Sequence, residues 1–244
     1  MNKSLVVITG HSKGLGKALL EHYLSLESVE IIGISRSRLD IDSPNLTQVG
    51  LDLSDLDVLK NELEGLFPED SYEQIVLVNN AGWIGEIKPI GKMHPREMRM
   101  QVNLNLLAPM YLSNAFIKAY KNHPAKKVVC NISSGAATRP VAGWGGYCST
   151  KAALAMFTMV ADKESGASDF RFFSLAPGIV DTDMQEEIRK AAESDFPELQ
   201  KFLEFKEQGE LVKAEEVARK IEYLLSNPEE FQEVQQDVRK YEAP

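Results

Sequence analysis

Short, continuous apolar runs alternate along the chain with longer stretches in which apolar positions recur every three or four residues. The first run, 5–9, is Leu-Val-Val-Ile-Thr, rich in β-branched residues and ended by Gly10. A run of this kind reads as a strand buried on both faces. The same pattern predicts strands over 30–35, 46–51, 74–79, 127–132 and 170–176. Helical periodicity fills the gaps at 15–26, 56–67, 96–122 and 147–165. Strand–helix alternation implies right-handed crossovers, so the predicted fold class is α/β, a doubly wound parallel sheet with helices on both faces. Beyond Gly178 the rhythm changes. Residues 181–209 are polar with scattered Met184, Ile188, Phe196, Leu199, Phe202 and Phe205, which predicts one or two short helices on a flexible segment. Residues 214–225 form a regular amphipathic helix with Glu215 and Glu216 at its start. The last ten residues are too polar to assign. No repeat, linker or low-complexity tract divides the chain, and the expectation is one domain over 1–244.

Composition narrows the function classes. The net charge is −9, from 27 Lys and Arg against 36 Asp and Glu, which disfavours nucleic acid and anionic lipid as partners. No apolar run is long enough to span a membrane, and the apolar run after Met1 is too short for a signal peptide. Two cysteines, Cys130 and Cys148, make no disulfide framework, and a reduced cytoplasmic protein is expected. The histidines are scattered, and no metal site is expected.

Two constellations carry chemistry. The first strand leads into Thr9-Gly10-His11-Ser12-Lys13-Gly14-Leu15-Gly16 and then a helix. A glycine turn before a helix N-terminus suits a dinucleotide pyrophosphate, although the spacing is neither G-x-G-x-x-G nor a P-loop, and glycines for packing alone are the competing reading. Ser134 ends the fifth strand, and Tyr147 and Lys151 follow one helical turn apart. An ammonium beside a phenol favours the phenolate and lowers the Tyr pKa, which would make Tyr147 an acid/base group with Ser134 holding a substrate oxygen, although for this spacing alone a Tyr packed on a helix and a solvated Lys is the stronger reading.

Together with Asn79-Asn80-Ala81-Gly82 and Pro177-Gly178 plus Thr182, these motifs make the chain similar to the short-chain dehydrogenase/reductase family over about residues 4–226. The resemblance implies a Rossmann-type fold with a seven-stranded sheet and nicotinamide-dependent oxidoreduction of a carbonyl or alcohol. It implies Tyr147 as acid/base, Lys151 on the nicotinamide ribose, Ser134 polarising the carbonyl, and Asn105 completing a proton relay, with Asn103 as a nearby competitor. It assigns cofactor contacts to Gly10, Ser12, Lys13, Gly14, Leu15, Gly16, Arg36, Asp52, Leu53, Asn80, Ala81, Gly82, Tyr147, Lys151, Pro177, Gly178, Val180 and Thr182. Within the family, residues 176–185 resemble the branch of sepiapterin reductases and bacterial benzil reductases.

Where NAD enzymes carry an acidic residue at the end of the second strand, this chain has Ser35 followed by Arg36, and Lys13 precedes the second turn glycine. The expected cofactor is therefore NADP(H). The expected activity is reduction of an aromatic 1,2-diketone or a pterin side-chain diketone; an NADP(H)-binding sensor without turnover and an oxidative alcohol dehydrogenase are the competing readings. Trp83, Trp144 and Met184, with Phe196, Phe202 and Phe205 further along, are expected to wall an aromatic substrate pocket, with tryptophans that cap the hydrophobic core as the competing reading, and 179–210 to be its flexible segment. A homodimer or homotetramer is expected from surplus apolar residues on two long helices, Met98, Leu104, Met110 and Tyr111 on one and Leu154, Phe157 and Met159 on the other.

Overall fold

The computed structural model describes residues 3–166 and 169–243. The expectation of one domain over 1–244 thus includes positions 1, 2, 167, 168 and 244, which lie outside the described residues. Among the described residues the strands form one seven-stranded parallel sheet in the order β3-β2-β1-β4-β5-β6-β7. The strands are β1 (Ser4–Thr9), β2 (Val29–Ser35), β3 (Leu46–Gly50), β4 (Gln74–Asn79), β5 (Lys126–Ile132), β6 (Phe170–Ala176) and β7 (Gln235–Asp237). The helices are α1 (Gly14–Leu24), α2 (Leu56–Glu62), α3 (Pro95–Val102), α4 (Ala108–Tyr120), α5 (Gly145–Ser165), α6 (Asp183–Arg189), α7 (Leu199–Glu207) and α8 (Ala214–Ser226).

Strand side chains alternate between two cores, as the two-residue period demands. Val6 and Ile8 of β1 and Val76 and Val78 of β4 pack with Leu19 of α1 and Leu224 of α8. Their neighbours Leu5, Val7, Ile75 and Leu77 face the opposite way, toward Leu59 of α2 and Leu112 and Phe116 of α4. A third cluster lies outside the sheet, where Trp144, Tyr147, Phe196 and Phe202 pack with Ile84 and Ile188.

Three elements depart from the sequence pattern. The helix expected over 96–122 is two helices joined by a π-turn at Asn103–Leu107. Pro109 has no N–H for the Asn105 carbonyl, and its ring crowds that carbonyl. The backbone widens by one residue, and the Ala108 N–H reaches Asn103 O. The helix expected over 56–67 is α-helical only to Glu62 and tightens into a 3₁₀ turn at Leu63–Leu66. Gly65 weakens the helix there, and Pro68 disfavours helical backbone at Phe67. The unassigned C-terminus supplies β7, whose polar Gln-Gln-Asp sequence is tolerated on an edge strand.

Candidate active site

The crevice opens at the carboxyl ends of β1 and β4, where the strand order reverses, the location at which open α/β sheets bind ligands. The two strand ends are locked together. Thr9 Oγ1 accepts the Asn80 and Ala81 N–H groups, each at 2.9 Å, and Asn80 Nδ2 donates to Thr9 O at 2.9 Å. Gly10 has φ +69°, a left-handed conformation that favours glycine. A Cβ on Gly16 would collide with the Gly10 carbonyl and Asn80 Nδ2. Gly16 therefore packs α1 tightly under the turn and does not itself line the cavity. Beneath the turn, buried His11 abuts Gly33 and bonds through Nε2 to Gln48 Oε1 at 2.9 Å.

A cavity of about 610 Å³ runs from this turn to α5. Of the residues singled out for the cofactor, it is lined by Gly10, Ser12, Lys13, Gly14, Leu15, Arg36, Asp52, Leu53, Asn80, Ala81, Gly82, Tyr147, Lys151, Pro177, Gly178, Val180 and Thr182. At the β2 end Ser35 is turned into its own loop, donating to Ser37 O at 2.6 Å. Arg36 is exposed and has neither ion pair nor side-chain hydrogen bond among the described residues. Lys13 Nζ lies 3.5 Å from Asp183 Oδ2, both well exposed. A glycine cradle closed to any side chain, with an uncompensated guanidinium at its far end, fits a phosphorylated dinucleotide.

Ser134, Tyr147 and Lys151 meet at the other end of the cavity. Ser134 caps the turn after β5, its Oγ accepting the Ala136 N–H at 3.1 Å. Lys151 Nζ donates to the Ile132 carbonyl at 2.7 Å and stands 5.7 Å from the centre of the Tyr147 ring. Burial pushes the Tyr147 pKa up to about 12, against a smaller lowering by its hydrogen bond with Ser134. Burial also pushes Lys151 down to about 8. The net shift of Tyr147 is thus upward rather than the lowering expected: both side chains are desolvated, and burial outweighs what a neighbouring ammonium contributes. Near neutral pH the pair is a neutral phenol beside an ammonium.

Asn105 sits on the π-turn, fully buried, and does not line the cavity. Its Oδ1 accepts the Trp83 N–H at 2.9 Å, and its Nδ2 donates to Trp83 O at 2.8 Å. Asn103 points elsewhere, donating to Ser54 O at 2.9 Å. The loop bearing Trp83 is braced again by Glu86, whose carboxylate accepts from Lys88 and from the His94 ring, each at 2.8 Å. Those bonds hold Glu86 down at about 2.

Trp83, Trp144 and Met184 line the cavity as expected. Phe196, Phe202 and Phe205 do not. Trp144 is 7% exposed, stacks on Phe196 at 5.4 Å, and meets Phe202 and Tyr147 edgewise or tilted. The phenylalanines therefore form a backing behind Trp144, whose own role is divided between wall and core. Cavity-lining residues missed from the sequence include Ile84, Met100, Leu104 and Ile188. Leu104 and Ile188 belong to ordinary apolar spacing, so no local signal separates them from core.

Residues 4–193 match the family model described as short chain dehydrogenase. The chain belongs to the short-chain dehydrogenase/reductase family. It is 39% identical over 240 residues to a benzil reductase ((S)-benzoin forming) of Bacillus cereus, covering 92% of this chain and 94% of the relative. It is 31% identical over 248 residues to a sepiapterin reductase of Bos taurus, covering 93% and 91%. A crystal structure of a short-chain dehydrogenase/reductase from Saccharomyces cerevisiae superposes with a TM-score of 0.83 at 24% identity, covering 97% of this chain and 96% of that one, and shares its fold. As a short-chain dehydrogenase/reductase with reductase relatives, the chain is an oxidoreductase of CH–OH/C=O groups, a carbonyl reductase that uses a nicotinamide cofactor and a small-molecule carbonyl substrate.

Proposed function

We propose that the protein is an NADPH-dependent reductase that converts one carbonyl of an aromatic 1,2-diketone to an alcohol. The observation that carries this reading is the meeting of Ser134, Tyr147 and Lys151 at the end of the cavity that Trp83, Trp144 and Met184 wall. Likeness to a benzil reductase supports the diketone. Likeness to a sepiapterin reductase supports, as a second reading, the side-chain diketone of a pterin.

When bound, the nicotinamide supplies the hydride. The residues of the chain supply the rest. Ser134 Oγ donates a hydrogen bond to the reacting carbonyl oxygen, which polarises it and fixes its distance from Tyr147. Tyr147, kept neutral by burial, gives its phenolic proton to the developing alkoxide. Lys151, charged at neutral pH, stabilises the phenolate left behind and offers donors to the ribose of the cofactor. Asn105 holds the Trp83 backbone from both sides, and with it the pocket wall. The preference for NADPH rests on Arg36, unpartnered beside Ser35 where an acidic ribose ligand would stand, with Lys13 nearby. A sensor without turnover is disfavoured because the phenol, the ammonium and the serine are all retained in one place.

The chain is further proposed to act as one domain, with 179–210 forming the substrate-binding side through α6 and α7, and to work in a reducing cytoplasm, where Cys130 and Cys148 stay unpaired. It is also proposed to be a homodimer or homotetramer. The exposed apolar residues on α3 and α5 that support this are Met98, Val102, Met156 and Val160. Leu154, expected on that surface, is in fact 1% exposed, and Leu104 turns into the cavity. A monomeric mass by light scattering would contradict the assembly.

The test of the reaction is NADPH oxidation across a substrate panel. Benzil and related aryl diketones should give a far higher kcat/KM than glyceraldehyde or a charged keto acid. Faster turnover of the small or charged compounds would sink the aromatic pocket.

A further inference from the structure

Gln101 is the one buried residue of α3, at 2% exposure, on a helix whose inward face would ordinarily carry an apolar side chain. A buried amide is costly unless its hydrogen bonds are made, so its surroundings explain why it is there. Its Nε2 donates to the Ile84 carbonyl at 2.6 Å. The amide is also gripped between two glycines. A Cβ on Gly85, at φ +77°, would collide with the Nε2 end, and a Cβ on Gly146 would collide with Oε1. Gly85 belongs to the loop bearing Trp83 and Ile84. Gly146 lies in the first turn of α5, directly before Tyr147. Asn105, one helical turn further on, grips the neighbouring residue Trp83. Two amides on one side of α3 and its π-turn therefore hold consecutive residues of the pocket wall, and the first is wedged against the helix that carries the phenol.

We propose that Gln101 is a positioning residue: its amide sets the distance between the Trp83–Ile84 wall and the Tyr147 hydroxyl. The proposal rests on the reading of Tyr147 as the acid of a carbonyl reductase. Gln101 touches neither the cofactor turn nor the β2 end, so its loss should disturb NADPH affinity far less than turnover. A merely structural plug would change the melting temperature and leave turnover by the folded, NADPH-bound enzyme intact.

The experiment compares Gln101→Ala, Gly146→Ala and the double variant in the NADPH-bound enzyme with benzil. Gly146→Ala keeps the glutamine but drives a methyl group into Oε1. Each single change should lower kcat about ten- to a hundredfold, the loss that follows a small misplacement of a reacting group, while the NADPH Kd stays within about twofold. Because both changes act through one contact, the double variant should be no slower than the slower single variant. Unchanged kcat in folded Gln101→Ala, or multiplied losses in the double variant, would overturn the positioning role and leave the reductase reading intact. If Gln101→Ala fails to fold, Gly146→Ala decides alone, and wild-type kcat there overturns the proposal. A wild-type enzyme that oxidises NADPH with no dicarbonyl would remove the reductase reading and this proposal with it.

Discussion

Replacing Arg36 by Ala removes a cation that lines the β2 end of the cavity without a partner. In the account above its partner is the 2′-phosphate of NADPH. A hydrogen bond to a charged group contributes about 1.5–3 kcal/mol. Arg36 is exposed, so solvent screening selects the lower end of that range. About 1.5 kcal/mol corresponds to roughly a tenfold rise in the KM for NADPH. NADH has no 2′-phosphate, and its KM should change less than about twofold. Among the described residues no side-chain hydrogen bond of Arg36 is broken, so the unfolding midpoint should stay put. The assay is initial rates of diketone reduction over a range of each cofactor, repeated at higher ionic strength, where the NADPH advantage of the wild type should shrink. Equal weakening of both cofactors would show that Arg36 shapes the loop. An unchanged KM for NADPH would show that the phosphate is bound elsewhere or that NADPH is not the cofactor.

Burial lowers Lys151 to about 8, so its ammonium is present below that pH and is lost as pH rises through it. The kcat/KM for the diketone should therefore fall by about tenfold per pH unit above roughly pH 8, and a flat profile to about pH 10 would contradict the role given to Lys151. Trp144→Ala should cost about 3–5 kcal/mol in urea unfolding, since the ring is 7% exposed and stacked on Phe196. Trp83→Ala, at a half-buried wall position, should cost much less stability and raise the KM for benzil selectively; the reverse ranking would place the core and the wall on the wrong tryptophans.

The sheet was legible because parallel strands buried on both faces must be continuously apolar, as β1 and β4 are. The glycine turn left a local mark, because it stands between a strand and a helix start; Ser134, Tyr147 and Lys151 stood out only through their order and spacing with the other family motifs, since Tyr-x-x-x-Lys alone is an ordinary helix pattern. What stayed hidden depended on contacts between distant parts of the chain. The burial of Trp144 is decided by Phe196 and Phe202, which arrive from a segment that reads as polar. The Tyr147 pKa follows burial that no spacing reports. Gln101 looks like a surface residue because a polar side chain in a helix ordinarily is one. Pro109 was a visible signal of the broken helix, since proline inside a helical pattern removes a hydrogen bond at the carbonyl four residues earlier, here that of Asn105.

Tyr147→Phe isolates the proton donor, because it removes one oxygen atom and leaves the buried ring in place. NADPH should bind the variant with nearly wild-type affinity by fluorescence titration, while single-turnover reduction of benzil should fall by about 10²–10⁴-fold, the loss expected for a missing general acid. A variant that binds NADPH and keeps more than about a tenth of the wild-type rate would contradict the assignment of Tyr147 as the proton donor.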